Sequence, residues 1–199
     1  MDWLHTVGLA AGLAWASGIR LYAVLFIAGA LAHFGYLDLP PTLAVLGHPY
    51  VMAASGVMAL GEFVADKVPA FDSLWDAAHT FVRIPAGAFL AAAALGQADP
   101  VWVAVAAIVG GAIASGAHLT KAGGRAVLNT SPEPFTNWTA SIAEDLLAPA
   151  GFIAAVLFPA AFLVLLVLFL VGAAWIVPRM WGTLRSLLRR LRGTPARSG

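Results

Sequence analysis

Cysteine is absent from the 199 residues, so disulfides, thiolate catalysis and Cys-ligated zinc or iron–sulfur centres are all excluded. Charge is scarce too, at 11% of residues against 61% hydrophobic. A soluble domain of this length could not bury that much apolar surface in one core. Familiar catalytic signatures are also missing. There is no Gly-x-Ser-x-Gly elbow, no Walker loop, no His-Glu-x2-His helix, no paired Asp-rich motif and no Asp-Gly-x2-Ala-Arg run. An Ala-x-Ala pattern ends "GLAAGLAWAS" (8–17), but Asp2 and no Lys or Arg precede it, so the segment reads as a retained span rather than a signal peptide.

What is present is a series of apolar blocks. They run at 5–34, 49–66, 72–96, 100–121, 136–157 and 160–178, separated by "YLDLPP", "KVPAFD", "GQADP" and "NTSPEP". A helix needs about 20 apolar residues to cross the roughly 30 Å of a bilayer core. The expected fold is therefore an all-α, polytopic transmembrane helix bundle of about six spans. One boundary is open: from 146 to 178 only Pro149 and Pro159 interrupt the apolar run, which suits either one kinked helix or a hairpin near Pro159.

The net charge of +1 hides an asymmetry. Residues 1–178 hold five basic and all ten acidic residues, whereas 179–199 hold six arginines. The chain thus divides into a transmembrane domain (1–178) and a basic tail (179–199), amphipathic and then disordered, that marks the cytoplasmic side. Six spans with both termini cytoplasmic also put Lys67, Lys121 and Arg125 inside and leave the Lys- and Arg-free connections near Asp38 and Asp99 outside. Membrane topology explains the arginines, so nucleic-acid binding is not expected. The sequons at 129–131 and 137–139 fall in a loop assigned to the cytoplasm and are accidental on that topology.

The few charges inside the spans share faces. At 100° per residue, Asp72, Asp76, His79 and Arg83 fall on one narrow stripe. Glu62 and Asp66 are four apart, His118, Lys121 and Arg125 are spaced three and four, and Asn137, Ser141 and Glu144 repeat the pattern with Asp145 beside them. Arg20 stands in the middle of the first span. Ionised groups facing lipid are costly, about 2.5 to 3.5 kcal/mol each at the helix centre on insertion scales, so the stripes are expected to face one another around a charged cavity open to the cytoplasm. Asp72 or Ser73 could instead simply cap the third helix, and the arginines could be locked in ion pairs that only fix packing. An internal repeat is suggested by "GVMALGEFVADK" (56–67) and "GAIASGAHLTK" (111–121), each followed by a helix carrying Pro-Ala-Gly, at 85–87 and 149–151. "SGIR" and "RIPAG" read as helix breaks.

Four segments, "ASGIRLYAVL" (16–25), "GEFVADKVPAFDSLWDAAHTFVRIPAGA" (61–88), "HLTKAGGRAVLNTSPEPFTNW" (118–138) and "SIAEDLLA" (141–148), resemble a family of bacterial multipass membrane proteins known only as a domain of unknown function. The resemblance covers about residues 7–178. It implies a multi-pass location in the bacterial inner membrane and supplies no activity. Family members often carry Asn-Pro or Asn-Leu where this chain has Ile19 and Arg20.

Three function classes follow. A transporter or flippase for a small anion or an anionic lipid headgroup would bind substrate through Arg20, Arg83, Lys121, Arg125, His118 and Asn137, with Glu62, Asp66, Asp72, Asp76, His79, Glu144 or Asp145 carrying protons. Six spans are few for such a monomer, so a homo-oligomer is expected. A metal-dependent intramembrane enzyme on a phosphorylated lipid would use the same acids and histidine to hold Mg²⁺ or Mn²⁺. An accessory subunit of a membrane complex would use its small-residue faces and a belt of Trp3, Trp15, Trp102, Trp175 and Trp181.

Overall fold

The computed structural model describes residues 2–96, 98–129 and 134–192, with side chains described as far as residue 182 except at 69, 70 and 134. The expected disordered end of the tail (193–199) and residues 130–133 of the "NTSPEP" turn lie outside the described residues. Six helices account for nearly all of the rest: α1 (Trp3–His33), α2 (Pro49–Ala65), α3 (Pro69–Leu95), α4 (Pro100–Leu128), α5 (Pro134–Leu157) and α6 (Pro159–Arg192), with one 3₁₀ turn at Ala44–Gly47. Proline opens every helix but the first. Its fixed φ suits the first helical turn, where its missing N–H has no intrahelical partner to lose. Asp2 and Asp99 cap α1 and α4 by accepting from His5 N and Val101 N, and His48 caps α2. Asp72 caps nothing: α3 starts earlier, at Pro69, with Val68 in the cap position and no side-chain bond there.

Five helices are long and apolar enough to cross a membrane; α2, at 17 residues, is apolar but shorter. The open boundary resolves as a break. α5 ends at Leu157 and α6 begins at Pro159. Trp15 of α1 touches Gly151 of α5 and also Phe162 and Phe169 of α6, so α6 turns back alongside the helix that α5 has just passed.

The first helix also turns back. Arg20 has non-helical backbone angles (φ −141°, ψ 72°), dividing α1 into arms at 3–19 and 21–33. The first arm runs beside α4, with Trp3 against Trp102 and Lys121 bonded to the Ile19 carbonyl. The second arm returns: Asp38 and Leu39, just beyond it, line one cavity with Thr6 and with Ala94 to Gly96 of α3. A straight α1 could not bring residue 38 beside residue 6. The charged "SGIR" segment is therefore the tip of a helical hairpin. The expected break at "RIPAG" does not occur, since α3 continues through Pro85; Pro and Gly are tolerated in spans when the freed backbone groups find other partners.

The bundle thus has two ends. At the first end lie the start of α1, the connections at 34–48 and 96–99, and Phe158. At the second, charged end lie the tip at Arg20, the α2–α3 connection and Arg179, which stacks on Trp175 beyond Met180's neighbours Gly123 and Gly124. The hairpin adds one pass, so the start of α1 and the end of α6 sit at opposite ends. The expectation of both termini on one side rested on a single first span and does not fit this geometry.

The first arm of α1 is the centre of the molecule, buried from Gly8 to Leu21. Helices α3 and α5 flank it, and both present the glycine of a Pro-Ala-Gly: Gly87 lies against Ala14 and Ser17, and Gly151 against the Trp15 ring. The pairs α2–α3 and α4–α5 run in the same directions, which supports a parallel internal repeat. Trp15 is consequently buried, not part of an interfacial belt. On α6, Val164, Leu165, Leu168, Val171 and Trp175 point outward, as a lipid-facing surface does. Close approach of α1 to α4 depends on Gly18, where an added Cβ would meet the Ala114 carbonyl oxygen at 2.5 Å and the Ala117 methyl at 2.7 Å. Backbone cannot move aside cheaply, so Gly18→Ala is expected to destabilise by about 1 to 3 kcal/mol, read as a lower thermal midpoint in detergent, with Gly172→Ala, whose added Cβ meets nothing within 4 Å, as the comparison.

Candidate functional site

Every charged stripe of the spans turns inward and meets the others. Arg20 comes from the hairpin tip, Glu62 from the last turn of α2, Asp66 and Lys67 from the α2–α3 connection, and Asp72, Asp76, His79 and Arg83 from α3. His118, Lys121 and Arg125 come from α4, and Asn137, Ser141, Glu144 and Asp145 from α5. Arg83 lies about 18 Å along α3 from its end at Leu95, at 1.5 Å per residue, which is near mid-depth; Asp72 lies close to the charged end. The set therefore reaches from the middle of the bundle to that end.

Its geometry is a network of ion pairs. Asp66 is the hub: it pairs with Arg20, with Lys121 at 3.1 Å and with Arg125 at 3.3 Å. Arg83 bridges two helices, donating from Nη2 to Glu62 at 2.5 Å and from Nη1 to Asp76 at 2.6 Å. Lys121 also stands 3.3 Å from Asp76 and 3.6 Å from Glu144. Arg125 donates to the Asn137 side chain at 2.5 Å and lies 3.2 Å from Glu144 and 3.6 Å from Asp72. Arg20 reaches Asp145 at 2.8 Å and donates to the Ser141 carbonyl at 3.2 Å. His118 sits against Thr80 at 2.7 Å and Arg83 at 3.2 Å, and His79 against the Tyr22 hydroxyl at 3.2 Å.

The open, wet cavity that the stripes suggest is not what packs here. Opposite charges close on each other instead. The side chains of Arg20, Arg83, Lys121 and Arg125 are at most 2% exposed, and only Glu144, Asp145 and Lys67, at 16%, 21% and 23%, reach the surface. That opening lies on the side of α5 and the α2–α3 connection. Five cations and six carboxylates take part, a formal excess of one negative charge when all are ionised. Asp66, outside the spanning helices, is pushed up by burial but pulled down further by Lys121, Arg20 and Arg125, so it sits below the usual carboxylate range.

Some carboxylate oxygens remain without a hydrogen-bond partner among the described residues: Glu62 Oε2, Asp66 Oδ1, Asp72 Oδ1 and Asp76 Oδ2. Asp66, Asp72 and Asp76 each offer an oxygen within 4.8 Å of the others, so these three are the acids of the metal reading that the fold brings together. His79 does not join them: its Nδ1 donates to the Trp75 carbonyl at 2.9 Å and its Nε2 faces the Tyr22 hydroxyl at 3.2 Å.

Four participants escape the sequence reading, Thr80 against His118 among them. Lys67, which the sequence marks only as a topology signal, bonds Ser141 Oγ at 2.5 Å and Asp145 at 3.2 Å. Asn129 donates to Asp72 at 3.0 Å, and Tyr22 meets His79. The one available signal was for Lys67, which stands four and eight residues after Phe63 and Ala59 in the sequence, a spacing that keeps one side of a helix.

The family model described as a domain of unknown function (DUF4126) matches residues 7–179. The chain belongs to this family. No curated protein and no solved structure matches it. Membership spans all six helices and the whole charged network, so the site described above lies within the family domain.

Proposed function

We propose that this family member moves an anionic solute, a small anion or a phosphate-bearing lipid headgroup, across the membrane. One observation carries the reading: four cations, Arg20, Arg83, Lys121 and Arg125, are buried inside the bundle in ion pairs with carboxylates, Arg20 at a helix break. Ionisable groups inside spans are costly and usually functional. Guanidinium groups bind phosphate or carboxylate bidentately, and interrupted helices at binding sites are a recurring transporter device. In this reading the ion pairs are the closed state, in which Glu62, Asp66, Asp76 and Asp145 stand in for substrate. His118 and Asn137 hold Arg83 and Arg125 in place, and the acids exchange protons as the pairs open.

The setting is a bacterial cytoplasmic membrane with the charged end inside, because Lys67, Lys121, Arg125 and Arg179 lie towards that end. A homo-oligomer would complete the pathway. In proteoliposomes, protein-dependent movement of a fluorescent anionic phospholipid or of radiolabelled phosphate is expected, falling at least about tenfold in Lys121→Met, the loss of about 1.4 kcal/mol of binding. Stable folded protein that moves neither probe would sink the proposal.

A second reading is favoured by the three converging aspartates: a metal-dependent enzyme on a phosphorylated lipid, holding Mg²⁺ or Mn²⁺ at Asp66, Asp72 and Asp76. Against it, the Lys121 ammonium already stands 3.1 Å from Asp66 and 3.3 Å from Asp76, where a divalent ion would have to displace it. Lipid-phosphate turnover in the same liposomes that stops with EDTA would favour this reading.

A further inference from the structure

The opening of the charged network continues into an apolar cleft. A cavity of about 420 Å³ lies between the second arm of α1 and α2, lined by Ala23, Phe26, Gly56, Ala59 and Phe63 and bounded at one end by Asp145. Gly56, Ala59 and Phe63 follow one face of α2, at helical spacing. Lys67 extends that face, its ammonium 3.8 Å above the Phe63 ring. The walls are open outward: Phe26, Phe63 and Leu60, which also lines the cleft, are exposed, as are Val57 and Val64 beside them, so in a membrane the cleft faces acyl chains rather than water.

The shape is that of an amphiphile, about 10 Å of hydrocarbon wall along α2 at 1.5 Å per residue ending in cations. At that end Asp145 bridges Arg20 at 2.8 Å and Lys67 at 3.2 Å. Lys67 and Asp145 are among the few members of the network that reach the surface, so this is the pair a ligand meets first. A carboxylate holding two cations at the mouth of a greasy cleft occupies the place a phosphate would take.

We propose that this cleft holds an acyl chain of an anionic phospholipid, whose phosphate replaces the Asp145 carboxylate on Lys67 and Arg20. The inference deepens the transport reading and rests on it for phosphate as the recognised group. Asp145 is then an internal competitor, which gives the test a sign. The full chain in detergent is titrated with dioleoyl-phosphatidylglycerol, with dioleoyl-phosphatidylcholine and with free glycerol phosphate, and bound lipid is counted by native mass spectrometry. Phosphatidylglycerol is expected to bind best. Lys67→Ala should weaken it about fivefold, the scale of one partly exposed ion pair, and Asp145→Asn should strengthen it by a similar factor. Ala59→Phe, which fills the cleft, should weaken it without changing the thermal midpoint. A misfolded variant cannot produce the gain expected of Asp145→Asn. Equal binding of both lipids, equal competition by glycerol phosphate, or indifference to Lys67 and Asp145 would each overturn the proposal. Because binding is read at equilibrium, lipid bound in the cleft without transbilayer movement would uphold this site while sinking the transport reading.

Discussion

Replacing Arg83 by leucine is expected to lower the stability of the protein more than any other single change in the network. Its guanidinium is fully buried and its two terminal nitrogens serve different helices, one to Glu62 at 2.5 Å and the other to Asp76 at 2.6 Å. Removing it leaves two carboxylates in a low-dielectric interior. Breaking a buried pair in this way costs about 3 to 5 kcal/mol, because one partner stays charged and uncompensated. Asp76 keeps Lys121, but Glu62 has no other ion pair among the described residues. Arg83→Leu combined with Glu62→Leu should therefore be more stable than Arg83→Leu alone. Arg83→Lys should rescue poorly, since one ammonium cannot reproduce a planar fork between two acids. Unfolding in detergent, followed by thermal denaturation of all three variants, gives the comparison. Single and double variants of equal stability would show that Glu62 is not held by Arg83.

The second large effect is expected at Arg20. Here the side chain fastens the tip of the α1 hairpin to the α2–α3 connection through Asp66 and to α5 through Asp145 and Ser141. The backbone at this residue has left the helix, so side-chain contacts must hold the fold-back together. Arg20→Ala should cost about 1.5 to 3 kcal/mol, less than Arg83→Leu because Asp66 keeps Lys121 and Arg125 and Asp145 keeps Lys67, and its signature should be local. Amide exchange should rise in residues 21–33 and in the start of α5 well before it rises in α3 and α4, whose mutual packing does not depend on Arg20. Uniform acceleration throughout the bundle would argue against a fastening role at the tip. The two variants separate the halves of the network: Arg83 joins α2 to α3 near mid-depth, whereas Arg20 joins α1 to α5 near the charged end.

Much of this was legible from composition and spacing. The helix starts follow the apolar blocks closely, although α4 and α6 run on past theirs to Leu128 and Arg192, and the turn prolines Pro69, Pro100 and Pro134 became first residues of helices because proline is tolerated there. The stripe of Asp72, Asp76, His79 and Arg83 faces inward because lipid penalises charge and the other stripes offer partners. The Asn137, Ser141 and Glu144 stripe obeys the same rule.

The fold-back at Arg20 was not legible. "SGIR" signals a break and the backbone leaves the helix there, at Arg20, but an apolar run with no proline still reads as one span, and only the packing of residues 38–42 against α3 shows that the chain has returned. Pro85 misled in the opposite direction, since a proline signals a break only where neighbouring helices leave room for one.

From its sequence alone, this chain was determined to be a bundle of membrane-length apolar helices with its charges turned inward, because transfer free energies and helical period act locally and need no partners to be known. Tertiary structure alone decided which charge meets which, that the network is closed rather than open, and that the first span is a hairpin. Those outcomes depend on distances between segments far apart in the chain, which Coulomb attraction and packing set only once the helices have assembled.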